Sequence, residues 1–226
     1  MHTLYIANKN YSSWSLRPWF ILKALNIPFE EKIIPFHDTE AWEQFKKLSP
    51  NGKVPCLVDG KTIVWDSLAI VEYMAEEDKR IWPKEKEARA WARSASAQMH
   101  SGFQELRNIC GMNCGVRIEL NEISSALKKE ISQIEDLWQQ GLERFGGPFL
   151  AGDQISAVDA FFAPVVFRIQ TYGLKVNPVA QGYVQLMQDH PVMKEWYTAA
   201  LLETWRDLPH DSDVDLVGKI TLDLRS

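Results

Sequence analysis

The residues in this chain that could do chemistry lie in short stretches near its beginning. Tyr11-Ser12-Ser13-Trp14-Ser15-Leu16-Arg17 places hydroxyls where a strand signal gives way to a helix signal. A hydroxyl at a helix start, beside N–H groups with no partner, can donate to a thiolate and lower the pKa of the parent thiol. Ser12 and Ser13 are the candidates, and both would also serve as plain helix caps. In Lys53-Val54-Pro55 the proline pushes Val54 to extended backbone. With a cis Val54-Pro55 bond, the turn would offer the Val54 N–H and C=O to another peptide backbone, as an added strand does. With a trans bond it is an ordinary turn. Asp66-Ser67 begins an expected helix, whose free N–H groups and dipole suit a carboxylate or a simple cap.

Other candidates carry less. Cys56, Cys110 and Cys114 are odd in number, with no spacing that suggests a disulfide framework or a tetrahedral metal site, so we expect reduced thiols and no metal. His210-Asp211-Ser212-Asp213 offers metal-ligand types, but in a polar tail such groups are usually solvated. Ser156 and Asp159 have capping-box spacing, with Asp in place of Glu, and Ile155 can staple that helix entry. This is a folding signal.

The elements that must position these residues fall into two groups. Strand signals at 3–8, 29–34 and 56–65, the last broken by a tight turn at Asp59-Gly60, alternate with helix signals at 15–25, 40–48 and 67–77. Pro18 is placed near the start of the first helix, where a missing N–H costs nothing. The order β-α-β-α-β-β-α makes one layered α/β domain over 1–80. From about residue 86 the strand signals stop. Helical patterns at 86–115, 120–145, 156–172, 179–188 and 191–204 predict an all-α second domain over 86–226, with the tail after 205 strapped over the first.

Composition narrows the function. A net charge of −5 without a basic run argues against nucleic acid. No apolar run is long enough to span a bilayer, and the N-terminus lacks the pattern of a secretory signal, so the expected compartment is the cytoplasm.

The order and spacing of these motifs carry a resemblance that none carries alone. Over about residues 3–205 the chain resembles the cytosolic glutathione transferase superfamily. Ser49-Pro50-Asn51-Gly52-Lys53-Val54-Pro55-Cys56-Leu57 is similar to its cis-proline segment, Trp65-Asp66-Ser67-Leu68-Ala69-Ile70 to its acidic-serine segment, and Gly152-Asp153 through Asp159 to the capping box of its helical domain. Tyr11 to Arg17 resembles the serine-type branches, closest to the zeta class, with Trp14 where that class has cysteine.

The resemblance implies a thioredoxin-like first domain, glutathione as co-substrate and a homodimer. It also implies a small electrophilic second substrate held between the domains, near Met99 to Phe103 and Arg107 to Asn113. Ser12 or Ser13 would meet the thiol and Val54 would hold the cysteinyl backbone. Asp66 and Ser67 would bind the γ-glutamyl group, and Lys53, with His37 in reach, the glycine carboxylate. The implied activity is conjugation or isomerisation in detoxification. A maleylacetoacetate isomerase-like enzyme and a ligand carrier with little catalysis remain open, whereas a dithiol oxidoreductase lacks its Cys-x-x-Cys.

Overall fold

The computed structural model describes residues 1–225. Its first sheet has the order β2-β1-β3-β4. Strand β1 (His2–Ile6) runs parallel to β2 (Phe29–Ile33) and antiparallel to β3 (Cys56–Asp59), which pairs antiparallel with β4 (Thr62–Trp65). In β1, Leu4 and Ile6 are fully buried while Tyr5 between them is half-buried, the alternation of a strand with one face on the core. Helices α1 (Ser13–Ala24), α2 (Thr39–Leu48) and α3 (Ser67–Glu77) complete the expected βαβαββα order.

α1 begins at Ser13, two residues before the sequence signal. Pro18 therefore sits inside the helix rather than in its first turn, and the Trp14 carbonyl loses its usual i+4 donor. The helix is apolar nearly all round because it is covered twice. It packs on the first domain and also on α7 (Ala157–Tyr172) of the second. Both helices are almost wholly buried, and their contact joins the domains. Trp19 of α1 lies against Trp196 with ring centroids 4.9 Å apart, and both are fully buried. Burying one such ring contributes roughly 4–6 kcal/mol on an area basis.

The second domain is mostly helical but not all-α. The single helix expected at 86–115 is two, α4 (Lys86–Ser101) and α5 (Gln104–Ile109). The break falls at Gly102, where a Cβ would stand 2.8 Å from the Gln98 carbonyl oxygen, and at Phe103, whose φ is +58°. α6 (Ser125–Phe145), α8 (Pro178–Asp189) and α9 (Pro191–Leu202) follow the sequence signals. The expectation that strands end at residue 86 fails. β5 (Val116–Leu120) pairs antiparallel with β6 (Gly218–Asp223), about a hundred residues later, across a register shift at Arg117/Ile118. Ahead of β6, α10 (Leu208–Val217) lies against the first domain: its Asp211 accepts from the Tyr11 hydroxyl at 3.1 Å.

Candidate active site

A cavity of about 430 Å³ opens where α1 begins, and both domains wall it. Ser12, Ser13 and Trp14 enter from the start of α1, and Lys53 and Val54 from the turn before β3. The Val54-Pro55 bond is cis. The second domain supplies Arg107 from α5, Arg168 from α7 and His210 from α10.

The loop before α1 is fixed from both domains. Lys9 N–H and Asn10 N–H donate to the Glu203 carboxylate at 2.6 and 3.1 Å. Asn10 Nδ2 donates to Asn113 Oδ1 at 2.8 Å, and Asn10 Oδ1 accepts from Gly115 N–H at 2.8 Å. The Trp196 indole donates to the Lys9 carbonyl at 2.9 Å. The serines are therefore held by a rigid frame, as a site must be to keep its geometry.

The two serines differ in their partners. Ser12 Oγ lies 2.8 Å from Ser15 Oγ, which also accepts from Ala7 N–H. Ser13 Oγ accepts from Arg168 Nη2 at 3.4 Å. Arg168 is buried in a helix whose buried side chains are mostly apolar, and its other arm donates to the Cys110 carbonyl. Burial, then the charge of Arg107, lowers this guanidinium to about 10, so it is charged at neutral pH. Arg107 is anchored at the end of α4, donating to the Gly102 carbonyl at 2.8 Å and to the Met99 carbonyl. Met99 and Phe103 are core residues, not cavity wall.

Trp14 organises the cations. The Arg17 guanidinium lies 4.0 Å from its ring centroid and that of Arg107 4.9 Å. Arg17 is fully buried, and among the described residues none of its three guanidinium nitrogens has a hydrogen-bond partner. Burial first, then the Arg107 and Arg168 charges, lower its pKa, while Asp66 opposes them. An arginine without an acceptor is costly, and such a group calls for an anion.

Asp66 caps α3, accepting from Leu68 N–H at 2.8 Å and Ala69 N–H at 3.4 Å. The first-turn donors are thus taken by its own carboxylate. Its φ is +76°, a left-handed backbone that a non-glycine residue adopts at a cost. His100 Nε2 lies 3.3 Å from Asp66 Oδ2. The neighbouring Ser67 hydroxyl is buried and has no partner among the described residues. Pro55 is buried beneath the turn. Asp66 and Ser67 do not line the cavity itself. Asp66 reaches it through His100, whose ring meets Trp14 edge-on at 5.3 Å. His37 is exposed and outside the cavity wall; its neighbour Phe36 lines it instead.

Cys56, Cys110 and Cys114 are free and buried, and burial lifts the Cys110 thiol to about 12. Among the described residues the group close enough to hold a metal ion is His2 of β1, Asp59 of β3 and Glu77 at the end of α3.

Both halves of the chain match models of one family. Residues 11–77 match the glutathione S-transferase N-terminal domain and residues 89–199 the glutathione S-transferase C-terminal domain. The chain belongs to the glutathione S-transferase family. Glutathione S-transferase 1 of Dianthus caryophyllus is 30% identical over 180 residues, covering 76% of this chain and 79% of that protein. A probable maleylacetoacetate isomerase of Caenorhabditis elegans is 27% identical over 177 residues, covering 77% and 82%. An unclassified glutathione S-transferase of Bombyx mori superposes with a TM-score of 0.70 at 23% identity, covering 88% and 93%. A Burkholderia glutathione transferase homologue with bound glutathione gives a TM-score of 0.65 at 21% identity, over 88% of this chain and 97% of that one. These likenesses to family structures show the shared fold.

Arg168 is a cavity residue that the sequence did not single out, and His210, expected as a solvated group of the tail, lines the cavity instead. A lone cation in the apolar run AVDAFFAPVVFRIQTY was a usable signal for Arg168. The polar tail around His210 carried no local sign that it would dock at the cavity.

Proposed function

We propose that this chain binds reduced glutathione in the cavity, ionises its thiol and directs the thiolate at a small electrophile, for transfer or isomerisation. The observation that carries this reading is that Ser13 and Val54, far apart in sequence, line one cavity at the start of α1. The cis Val54 segment holds the cysteinyl backbone. Asp66 and Ser67, beside the cavity, receive the γ-glutamyl end, and Lys53 the glycine carboxylate.

Ser13 is the thiol's partner. Its oxygen accepts from Arg168, so its own proton is free for sulfur, while the Ser12 hydroxyl donates its proton to Ser15 Oγ. A free thiol has a pKa of about 8.5, and lowering it by two units takes roughly 2.7 kcal/mol. A charge-assisted hydrogen bond supplies energy of that order, and the adjacent helix start and Arg168 add to it.

Arg107 and Arg168 in the cavity wall favour an electrophile bearing a carboxylate, which agrees with the isomerases among the relatives. A carrier with little catalysis would bind glutathione without shifting its thiol pKa. Titrating thiolate absorbance in the binary complex decides: a midpoint near that of free glutathione rules out the enzyme reading. Assembly as a homodimer is part of the proposal and is read by sedimentation.

A further inference from the structure

The tail brings to this cavity a residue pair that the transferase reading has not used. His210 and Asp207 both lie in the first turn of α10, with Asp207 as its cap. The Asp207 carboxylate accepts from His210 N–H at 3.3 Å and also meets Nδ1 of the His210 ring. Asp207 is 9% exposed. One carboxylate thus starts the helix and orients the imidazole.

An aspartate on Nδ1 fixes that nitrogen as the N–H of the neutral ring and leaves Nε2 with its lone pair. Among the described residues Asp207 is the ring's only hydrogen-bond partner. The ring packs on Phe36, centroids 5.1 Å apart at 25°, and on Tyr11, 5.2 Å apart at 30°. Tyr11 immediately precedes Ser12, and His210 lines the same cavity as Ser12 and Ser13. Tyr11 is held in turn by Asp211, and Asp211 by Arg225, so the tail docks the histidine rather than trailing past it.

We infer that His210 is the acid–base residue of this site: its Nε2 takes the proton that a bound thiol loses and returns it to the electrophile. The inference rests on the glutathione reading above. The S–H bond breaks with its electron pair left on sulfur, and an N–H bond forms at Nε2. The imidazolium is paired with Asp207. On a conjugated carbonyl compound, sulfur bonds to the β carbon and the C=C pair moves to the α carbon. That carbon takes the Nε2 proton and restores neutral imidazole. No oxidant or reductant is needed.

The charged and titratable groups around the ring are Asp207, Asp211 and Asp213 on its own helix, Tyr11 and Lys53 from the first domain, Arg225 from the tail, and Arg107 and Arg168 in the cavity wall. Burial, then the Asp211 charge, raises the Tyr11 phenol, so it stays neutral through the range where an imidazole titrates.

The test uses the full chain. With ¹⁵N-histidine labelling and NMR at pH 7.5, reduced glutathione should move the His210 ring signals toward the protonated form, whereas S-methylglutathione should not. In kinetics with a simple enone, His210→Asn should lower kcat about 100-fold and abolish the acid limb of its pH profile. Asp207→Asn, which keeps the cap, should lower kcat less. Calorimetry should find glutathione still bound to both variants. An unchanged kcat or an intact acid limb in His210→Asn, with glutathione bound, overturns the inference and leaves the transferase reading standing. So does the absence of a thiol-specific shift in the unaltered protein. Failure of the unaltered protein to bind glutathione overturns both.

Discussion

A single hydroxyl proton decides the roles of the two serines. Ser13 receives a hydrogen bond from a charged arginine and keeps its proton to give, while the Ser12 hydroxyl gives its proton to Ser15 Oγ. Ser13→Ala should therefore lower kcat/KM by about 100-fold, from loss of one charge-assisted donor, and raise the thiol pKa in the complex. Ser12→Ala should cost much less. Equal losses in the two variants would contradict the assignment. The type and position of both serines were legible in the chain. Their difference was not, because Arg168 is more than 150 residues away and meets Ser13 only when α7 packs on α1.

Among the elements, the entry to α7 shows how local code and packing cooperate. The Asp159 carboxylate accepts from Ser156 N–H at 2.9 Å, as the spacing predicted. It also accepts from Leu150 N–H and from the Tyr183 hydroxyl, each at 3.0 Å, which no local pattern announces. Asp159→Ala leaves three buried donors without an acceptor and should destabilise the fold by about 3–5 kcal/mol in denaturant titrations. Gly141 in α6 is a second such point. A Cβ there would stand 2.4 Å from both the Leu150 carbonyl oxygen and the Trp91 ring, so Gly141→Ala should cost about 2–3 kcal/mol. A variant as stable as the parent would show that α6 shifts freely. The β5–β6 pair escaped the sequence reading for a related reason. Each segment is short, and a strand is stabilised by its partner, here at the far end of the chain.

For the molecule as a whole, the tail and the domain interface govern stability and its response to acid. His100 lies between Trp14, Phe161 and Asp66. Burial is the main cause that lowers its pKa; Asp66 opposes, and Arg17 and Arg107 add to the lowering. Below pH 6.5 the unfolded chain takes up a proton there that the folded chain resists. Stability from this residue is complete above that pH and declines on acidification. His100→Gln should flatten part of that decline, and parallel melting curves across pH 5–7 would argue against it. A chain ended at Val217 loses β6 and the cation that pairs with Asp211 at 2.5 Å. It should melt roughly 4–8 °C lower, for a loss of about 2 kcal/mol.

Strand and helix order in the first domain, the helix starts at Asp66 and Ser156, and the candidate serines could all be read from the chain alone. These depend on alternation, capping and turn chemistry within a few residues. The packing of α7 on α1, the arginines around Trp14, the strand pair and the docking of His210 were decided by tertiary structure. Each joins residues far apart along the chain, and burial and charge act through space, where neighbours in sequence give no measure of distance.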